Sequence, residues 1–334
     1  MRTLWLILSI VASPPAVRCG EGEIRLQDQQ AEFRLDDELV TVYRWDSSTS
    51  KPYFWPLLAP GQVRVTRGYP IEKDLPNETR DHVHHRSVWF CHGDVIADGL
   101  SVVPSGDRHV KGVDFWSESK GHGRIVCVSA SVQKNVLVTK NTWQDAAGTK
   151  VLDETRTISL HSAAGGRLLI VEIEFMATVA PLKFGDTKEG SFAVRVHDDL
   201  ALIRKKPRSR LVNSVGGIGE SEVWGRLADW CDYSGEVDGH HVGIALFDAP
   251  TNPHRAAWHA RAYGLMAANP FGRQASGFPS RKGQSELVEI PRGSSLRLFY
   301  GIYLHTGDEK SGQVAQAFEK FKQILRDRAR AKSP

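Results

Sequence analysis

The sequence predicts an all-β protein, a large antiparallel β-sandwich followed by one C-terminal α-helix. Three observations point there. Short apolar runs recur with a period of two, as strands with one buried face require. Clusters of Gly, Pro, Asn and Asp separate these runs. Helical spacing is confident in one stretch alone, near the end. The 334 residues are 41% hydrophobic and 25% charged, which suits a packed core. No repeat or linker divides them, so residues 21–310 are read as a single sandwich domain and 311–334 as helix and tail.

In chain order, residues 1–20 come first. Arg2 is followed by the apolar run Leu4 to Ala12 and then by small residues up to Gly20. This is the order of a signal peptide, too short to span a bilayer, and it predicts export to the periplasm or beyond. No later stretch is long and apolar enough to cross a membrane. "EIRLQDQQAEFRL" then alternates Ile24, Leu26, Phe33 and Leu35 with polar residues. "GRIVCVSASVQ" sets Ile125 and Cys127 against Val126 and Val128, and "RLLIVEIEFMATV" sets Val171, Ile173 and Phe175 against Glu172 and Glu174. "HVGIALFD" and "SLRLFYGIYLHTG" repeat the pattern. "QDAAGTKV" and "HSAAGGRL" read as hairpin turns, with Gly supplying positive φ. At the end, Val314, Ala317, Phe318, Phe321, Ile324 and Leu325 share one helical face, with Ser311 as the expected cap.

Composition narrows the function classes. The net charge is +4, and the one basic run, Arg204 to Arg208, is short, so a nucleic-acid partner is not expected. No dinucleotide fingerprint is present, so no nucleotide cofactor is expected either. Beyond the leader, Cys91, Cys127 and Cys231 are an odd set, which is no disulfide framework and leaves a single bridge open.

Five long segments, 44–60, 66–86, 104–122, 214–240 and 248–283, are rich in Trp, His, Asn, Pro and Gly and read as functional loops. Three stretches concentrate the chemistry. "DHVHHRSVWFCHGDV" holds His82, His84, His85 and His92, four of thirteen histidines, with Arg86 and Trp89 between them. If this segment is extended, His82 and His84 share a face and form a metal-binding pair; otherwise the histidines satisfy buried backbone groups. "KFGDTKEGSFAVRV" places Asp186, Lys188 and Glu189 ahead of a strand, as a general base, a metal ligand or a plain polar turn. "FDAPTNPHRAAWHARAYGLMAANPFG" gathers Asn252, His254, Trp258, His259 and Tyr263, residue types that stack on and hydrogen-bond to sugars. The three are expected to meet on one surface.

Together with "YFWPLLAPGQVRVTRGYP", "NSVGGIGESEVWG", "WCDYSG" and "AYGLMAANPFG", these motifs resemble a bacterial family of unknown function. It is abundant in planctomycetes and commonly labelled methane oxygenase PmoA. That label does not fit, because such a subunit needs several membrane spans and this sequence has none. In overall character the family is similar to galactose-mutarotase-like supersandwich proteins, which include aldose epimerases, glycoside hydrolases and polysaccharide lyases. The resemblance implies a supersandwich-like fold and a carbohydrate ligand. It marks His82, His84, His85, Arg86 and His92, then Asp186, Lys188 and Glu189, then His259 and Tyr263, and assigns none of them an established catalytic role. Relatives are expected to read Arg-Asp-Tyr-Gly where this chain has Arg261-Ala262-Tyr263-Gly264.

The resulting expectation is an exported carbohydrate-active enzyme, an epimerase, lyase or hydrolase working by acid/base chemistry. Glu189 is the base, His82 or His85 the acid, Arg86 the group that holds a carboxylate or oxyanion, and Tyr263 a further catalytic phenol. Trp89, Lys188, Asn252, His254, Trp258 and His259 are expected to contact substrate. His82, His84, His92 and Asp186 are the candidate ligands for one divalent metal, zinc, manganese or calcium. The alternative is a non-catalytic carbohydrate-binding module stacking sugars on Trp55, Trp89, Trp116 and Trp258. The sequence leaves the oligomeric state open.

Overall fold

A computed structural model describes residues 22–206 and 208–332. The predicted leader lies outside the described residues.

The strands form three antiparallel sheets. The first runs in the order Glu23–Gln27, Gln30–Leu35, Glu38–Arg44, Tyr53–Ala59, Val88–His92, Gly190–Arg195, Leu265–Asn269, Ala257–Arg261, with Val63–Arg64 added beside Tyr53–Ala59. The second runs Arg210–Asn213, Trp230–Val237, His240–Asp248, Ser295–Thr306, Gly166–Met176, Lys150–Ala163, Val136–Gln144, Arg124–Gln133. A small third sheet joins Val288–Ile290, Leu182–Phe184 and Val95–Ala97.

The two large sheets pack face to face, and period-two alternation decides what lies between them. Phe90 from the first sheet lies 5.6 Å from Phe175 of the second, and Phe192 stacks on Tyr300 at 4.8 Å. Leu169, Val171 and Ile173 join this core, while Leu168 and Ile170 point the other way. There they meet the helix Val314–Lys332, whose Val314, Ala317, Phe318 and Phe321 close a second cluster with Phe247 and Tyr303. The helix therefore begins at Val314, and Ser311 does not cap it. Its hydroxyl bonds Asp308 at 2.6 Å within the preceding turn.

Three of the segments read as loops contain strands: Tyr53–Ala59, Trp230–Val237, and the pair Ala257–Arg261 and Leu265–Asn269. Their alternation is hidden because both faces are covered, so polar and apolar positions are buried alike. The two hairpin turns form as expected, with Gly148 and Gly165 at φ of 86° and 79°. Cys91, Cys127 and Cys231 are all free thiols. Among the described residues no helix is long and apolar enough to cross a membrane.

An ion pair is buried inside the sandwich. Arg156 donates to both oxygens of Glu154, at 2.8 and 2.9 Å, and its third arm reaches the Tyr43 hydroxyl of the opposite sheet at 2.9 Å. Glu154 also accepts from the Trp143 indole and the Asn141 amide. Removing one partner strands the other charge in a low-dielectric core. Arg156→Met should therefore cost about 3–5 kcal/mol in urea unfolding, and Glu154→Gln/Arg156→Met should recover much of the loss. Equal stability of the single and double variants would contradict this.

Candidate functional site

The site begins with the register of the first sheet. Tyr53 pairs with Trp89, Trp89 with Ala193, Ala193 with Ala267, and Ala267 with His259. These side chains form one row on the face turned away from the core. Two buried alanines separate the bulky ends, Trp89 and His259. The next row carries Arg195, Leu265 and Arg261. Loops from 66–86, 104–122 and 183–190 fold over this face.

The segment Asp81–Arg86 is not extended. His82 has a left-handed φ of 45°, and the His85 amide bonds the His82 carbonyl at 2.9 Å, closing a turn. His82 and His84 therefore do not form the strand pair expected of them. His82 instead lies parallel to His85, with centroids 4.6 Å apart, and parallel to Tyr263 at 5.1 Å. His85 continues the stack onto Trp89 at 5.2 Å, and His84 meets its edge at 4.5 Å. Asp81 fastens the turn to the sheet. It accepts from Arg195 at 2.9 Å and from Arg67, both buried. Burial raises the Asp81 carboxyl, but Arg195 and Arg67 outweigh it and hold it below its ordinary value.

The second stretch meets the third directly. The Lys188 carbonyl accepts from His259 Nδ1 at 2.7 Å, and the Asn269 amide bonds the Thr187 carbonyl at 3.0 Å. With its proton on Nδ1, His259 keeps a bare Nε2. Beside this contact lies a cleft of about 890 Å³ lined by five acidic residues, Asp94, Asp107, Asp114, Asp186 and Glu189. Each aspartate is engaged. Asp94 accepts from the Gly112 amide, Asp107 from His109, Asp114 from Trp116, and Asp186 from Arg273 and Ser276. Glu189 is the exception: among the described residues its carboxylate makes no hydrogen bond or ion pair. Burial raises its pKa, against the pull of Lys188. Burial likewise pushes the Tyr263 phenol up to about 12, and neighbouring Arg195 opposes it while Glu189 adds to it.

Other expected residues have different work. Arg86 grips Glu118 at 3.3 Å, and Lys51 binds the same carboxylate at 2.8 Å. Asn252 clamps Asp248 and the Phe299 backbone. His254 faces a separate hollow with Arg273 and Gln284. Trp258 is core, its indole donating to the Ala228 carbonyl. Trp55, Trp89, Trp116 and Trp258 are all buried, so none offers a ring face to solvent. The four metal candidates do not gather either. His92 lies on the inner face between Phe184 and Phe271, with Nε2 against the Gly185 carbonyl at 2.9 Å, while Asp186 is taken up by backbone amides. Among the described residues no group of three or more His, Cys, Asp or Glu is placed to hold a metal ion.

Sequence reasoning missed Arg67, Arg195, Lys51 and Glu118. Arg195 had a signal, a charge within the otherwise apolar "FAVRV". The other three pair across long separations that no local spacing announces.

The sequence profile of DUF6807, a family of unknown function, matches residues 30–319. The chain belongs to this family. No curated protein matches this DUF6807 chain. Among solved structures it is similar to galactose 1-epimerase from Lactobacillus acidophilus, at 8% identity and a TM-score of 0.36, covering 86% of this chain and 100% of that one. It is also similar to the protein HI1317, at 8% identity and a TM-score of 0.30, covering 85% and 99%.

The buried histidines set an acid limit on stability. Burial holds His92 near 4 and His259 near 3, below the ordinary 6.5. Both stay neutral in the fold, while the unfolded chain takes up protons as the pH falls below 6.5. Their share of stability is thus complete at pH 7 and is lost as the pH falls from about 6.5 toward 4. Each group costs up to about 1.4 kcal/mol per pH unit in that window. His259→Asn keeps a donor for the Lys188 carbonyl and cannot titrate. Its stability loss between pH 7 and pH 5, from urea unfolding, should be about 2 kcal/mol smaller than that of the wild type. An unchanged loss would contradict the assignment.

Proposed function

We propose that this chain is a carbohydrate-active enzyme that transfers a proton at a sugar carbon or ring oxygen. The observation that carries the reading is Glu189, the one acid lining the cleft whose carboxylate is not spent on holding a loop. Desolvation moves such a group toward neutral pH, where a general base works best. The remaining labour falls to groups beyond the cleft's own lining. Tyr263, held protonated, can give a proton or a hydrogen bond to a developing oxyanion. His259, held neutral, presents a bare Nε2 as acceptor. His82, the exposed ring over Tyr263, lies at the solvent edge of this stack. The cleft falls within the size range of small-molecule sites. The likeness to a galactose 1-epimerase is too distant to carry this argument; the chemistry of the cleft carries it. Buried Trp55, Trp89, Trp116 and Trp258 remove the stacking platforms on which the binding-module alternative relied.

The test is a screen of free sugars, sugar acids, glycosides and keto-glycosides, read by NMR for anomer exchange and for deuterium entering from solvent. Turnover should appear for at least one class. Glu189→Gln should lower it by about a hundredfold or more while leaving folding and sugar binding nearly intact. Binding without any conversion would make the protein a binding module. Conversion that survives Glu189→Gln would move the base elsewhere.

A further inference from the structure

The reading above leaves the charge of the sugar open, and the ion pairs under the histidine turn speak to it. Two carboxylates flank the turn, and each is shared by two cations. Asp81 takes Arg67 and Arg195. Glu118 takes Lys51 at 2.8 Å and Arg86 at 3.3 Å. The side chains of Arg67, Arg195 and Lys51 are fully buried. Asp81 also lies 3.1 Å from His82 Nδ1, and the charge of Asp198 acts on Arg67. Asp198 is matched by Arg204 at 3.0 Å, and Arg261 by Glu220 at 3.2 Å. Lys188 adds a further cation beside Glu189. Arg195 also keeps Nε and Nη1 buried without a partner, and His85 keeps Nδ1 so.

Uncompensated buried charge is costly, and a surplus of one sign in a low-dielectric wall creates a field at the surface above it. The field here is positive. Burial first, then Lys51, holds His84 near 3, and burial with His84 and Arg195 holds His85 low, so these two imidazoles add no charge of their own. Both nitrogens of His84 and the Tyr263 hydroxyl lack a hydrogen-bond partner among the described residues. The donors at this surface are single imidazole and phenol groups. A helix N-terminus or a nest of backbone amides, which suits a phosphoryl group, is not what the turn presents.

We propose that the ligand is a sugar bearing a carboxylate, a uronate or an aldonate, whose charge lies over the His82–His85 turn where four cations face two carboxylates, and whose hydroxyls extend toward Glu189 and Asp114. This rests on the carbohydrate reading and names its substrate class. The buried cations act through the field; His82, His84 and Tyr263 make the contacts.

The experiment is isothermal titration calorimetry on the purified protein. The probes are glucuronate, galacturonate and gluconate, then glucose and galactose, then glucose 6-phosphate and galactose 6-sulfate. At least one carboxylate sugar should bind about tenfold or more tighter than its neutral parent, and the preference should shrink as salt rises. Arg86 is partly exposed, so Arg86→Gln should fold, and it should cut the preference about threefold or more without weakening the neutral sugar. Arg195→Gln should abolish the preference, and Arg195→Lys should restore most of it. Neutral sugars binding as tightly, a preference for the phosphate or sulfate, variants that weaken both classes equally, or no sugar binding at all would each overturn the proposal. Conversion of a neutral sugar that depends on Glu189 would sink this inference and leave the enzyme reading standing. Selective carboxylate-sugar binding without conversion would do the reverse.

Discussion

The site depends on strict alternation along four adjacent strands. Phe90 and Phe192 enter the core, so Trp89 and Ala193 must face away from it, and the antiparallel register carries that choice across to Ala267 and His259. A slip of one residue would exchange the faces and put Arg195 among the core aromatics. The cost of such an exchange is what fixes the register. Packing in the sandwich thereby decides which side chains the loops can meet on the other side.

That outer face would be unstable as a bare surface. It carries Trp89, Arg195 and His259, groups that are neither fully apolar nor free to hydrate once the loops cover them. Each is held by a different device, although Trp89 Nε1 and two Arg195 nitrogens stay buried without a partner. His259 donates to a loop carbonyl, Arg195 shares Asp81 with Arg67 and lies 4.6 Å over the Tyr263 ring, and Trp89 stacks beneath His85. These contacts also explain the left-handed turn at His82. The chain must reverse sharply so that Asp81 can reach two arginines while His85 covers Trp89, and Asp81 offsets the strain by anchoring the start of the reversal.

Much of the fold was legible because most strands keep one face in the core and alternate accordingly. Gly166–Met176 shows where the signal fades: the helix covers its second face, yet Glu172 and Glu174 still mark the pattern near one end. Ala257–Arg261 and Leu265–Asn269 went unread because both faces are buried and the polar residues serve the site, not solvent. The three chemistry-bearing stretches were legible by residue type alone. Their inner arrangement was not. His92 looked like part of the histidine cluster but lies on the opposite face of the sheet from Trp89, since the two are an odd number of positions apart along the strand. Asp186 looked equivalent to Glu189, yet backbone amides from the 273–276 turn claim it. Only tertiary packing distinguishes a carboxylate that holds a loop from one left free.

That distinction connects the folding of the loops to their chemistry. Four aspartates around the cleft fix its walls by accepting backbone amides, which keeps the walls rigid and their charges neutralised by local dipoles. Rigid walls let one acid, Glu189, remain partly buried without a partner, a state the chain would otherwise relieve by moving the loop. On the far side of Tyr263 the balance of ion pairs differs, with Arg67 and Arg195 sharing Asp81 and with His84 and His85 kept neutral by burial. A proton acceptor with a raised pKa thus sits a short way from a positive field, with a phenol between them. Under the proposed function, such a gradient would favour removal of a proton at the acidic end and stabilise the negative charge that results at the basic end. Neither half is unusual by itself; it is the sheet register that sets them side by side.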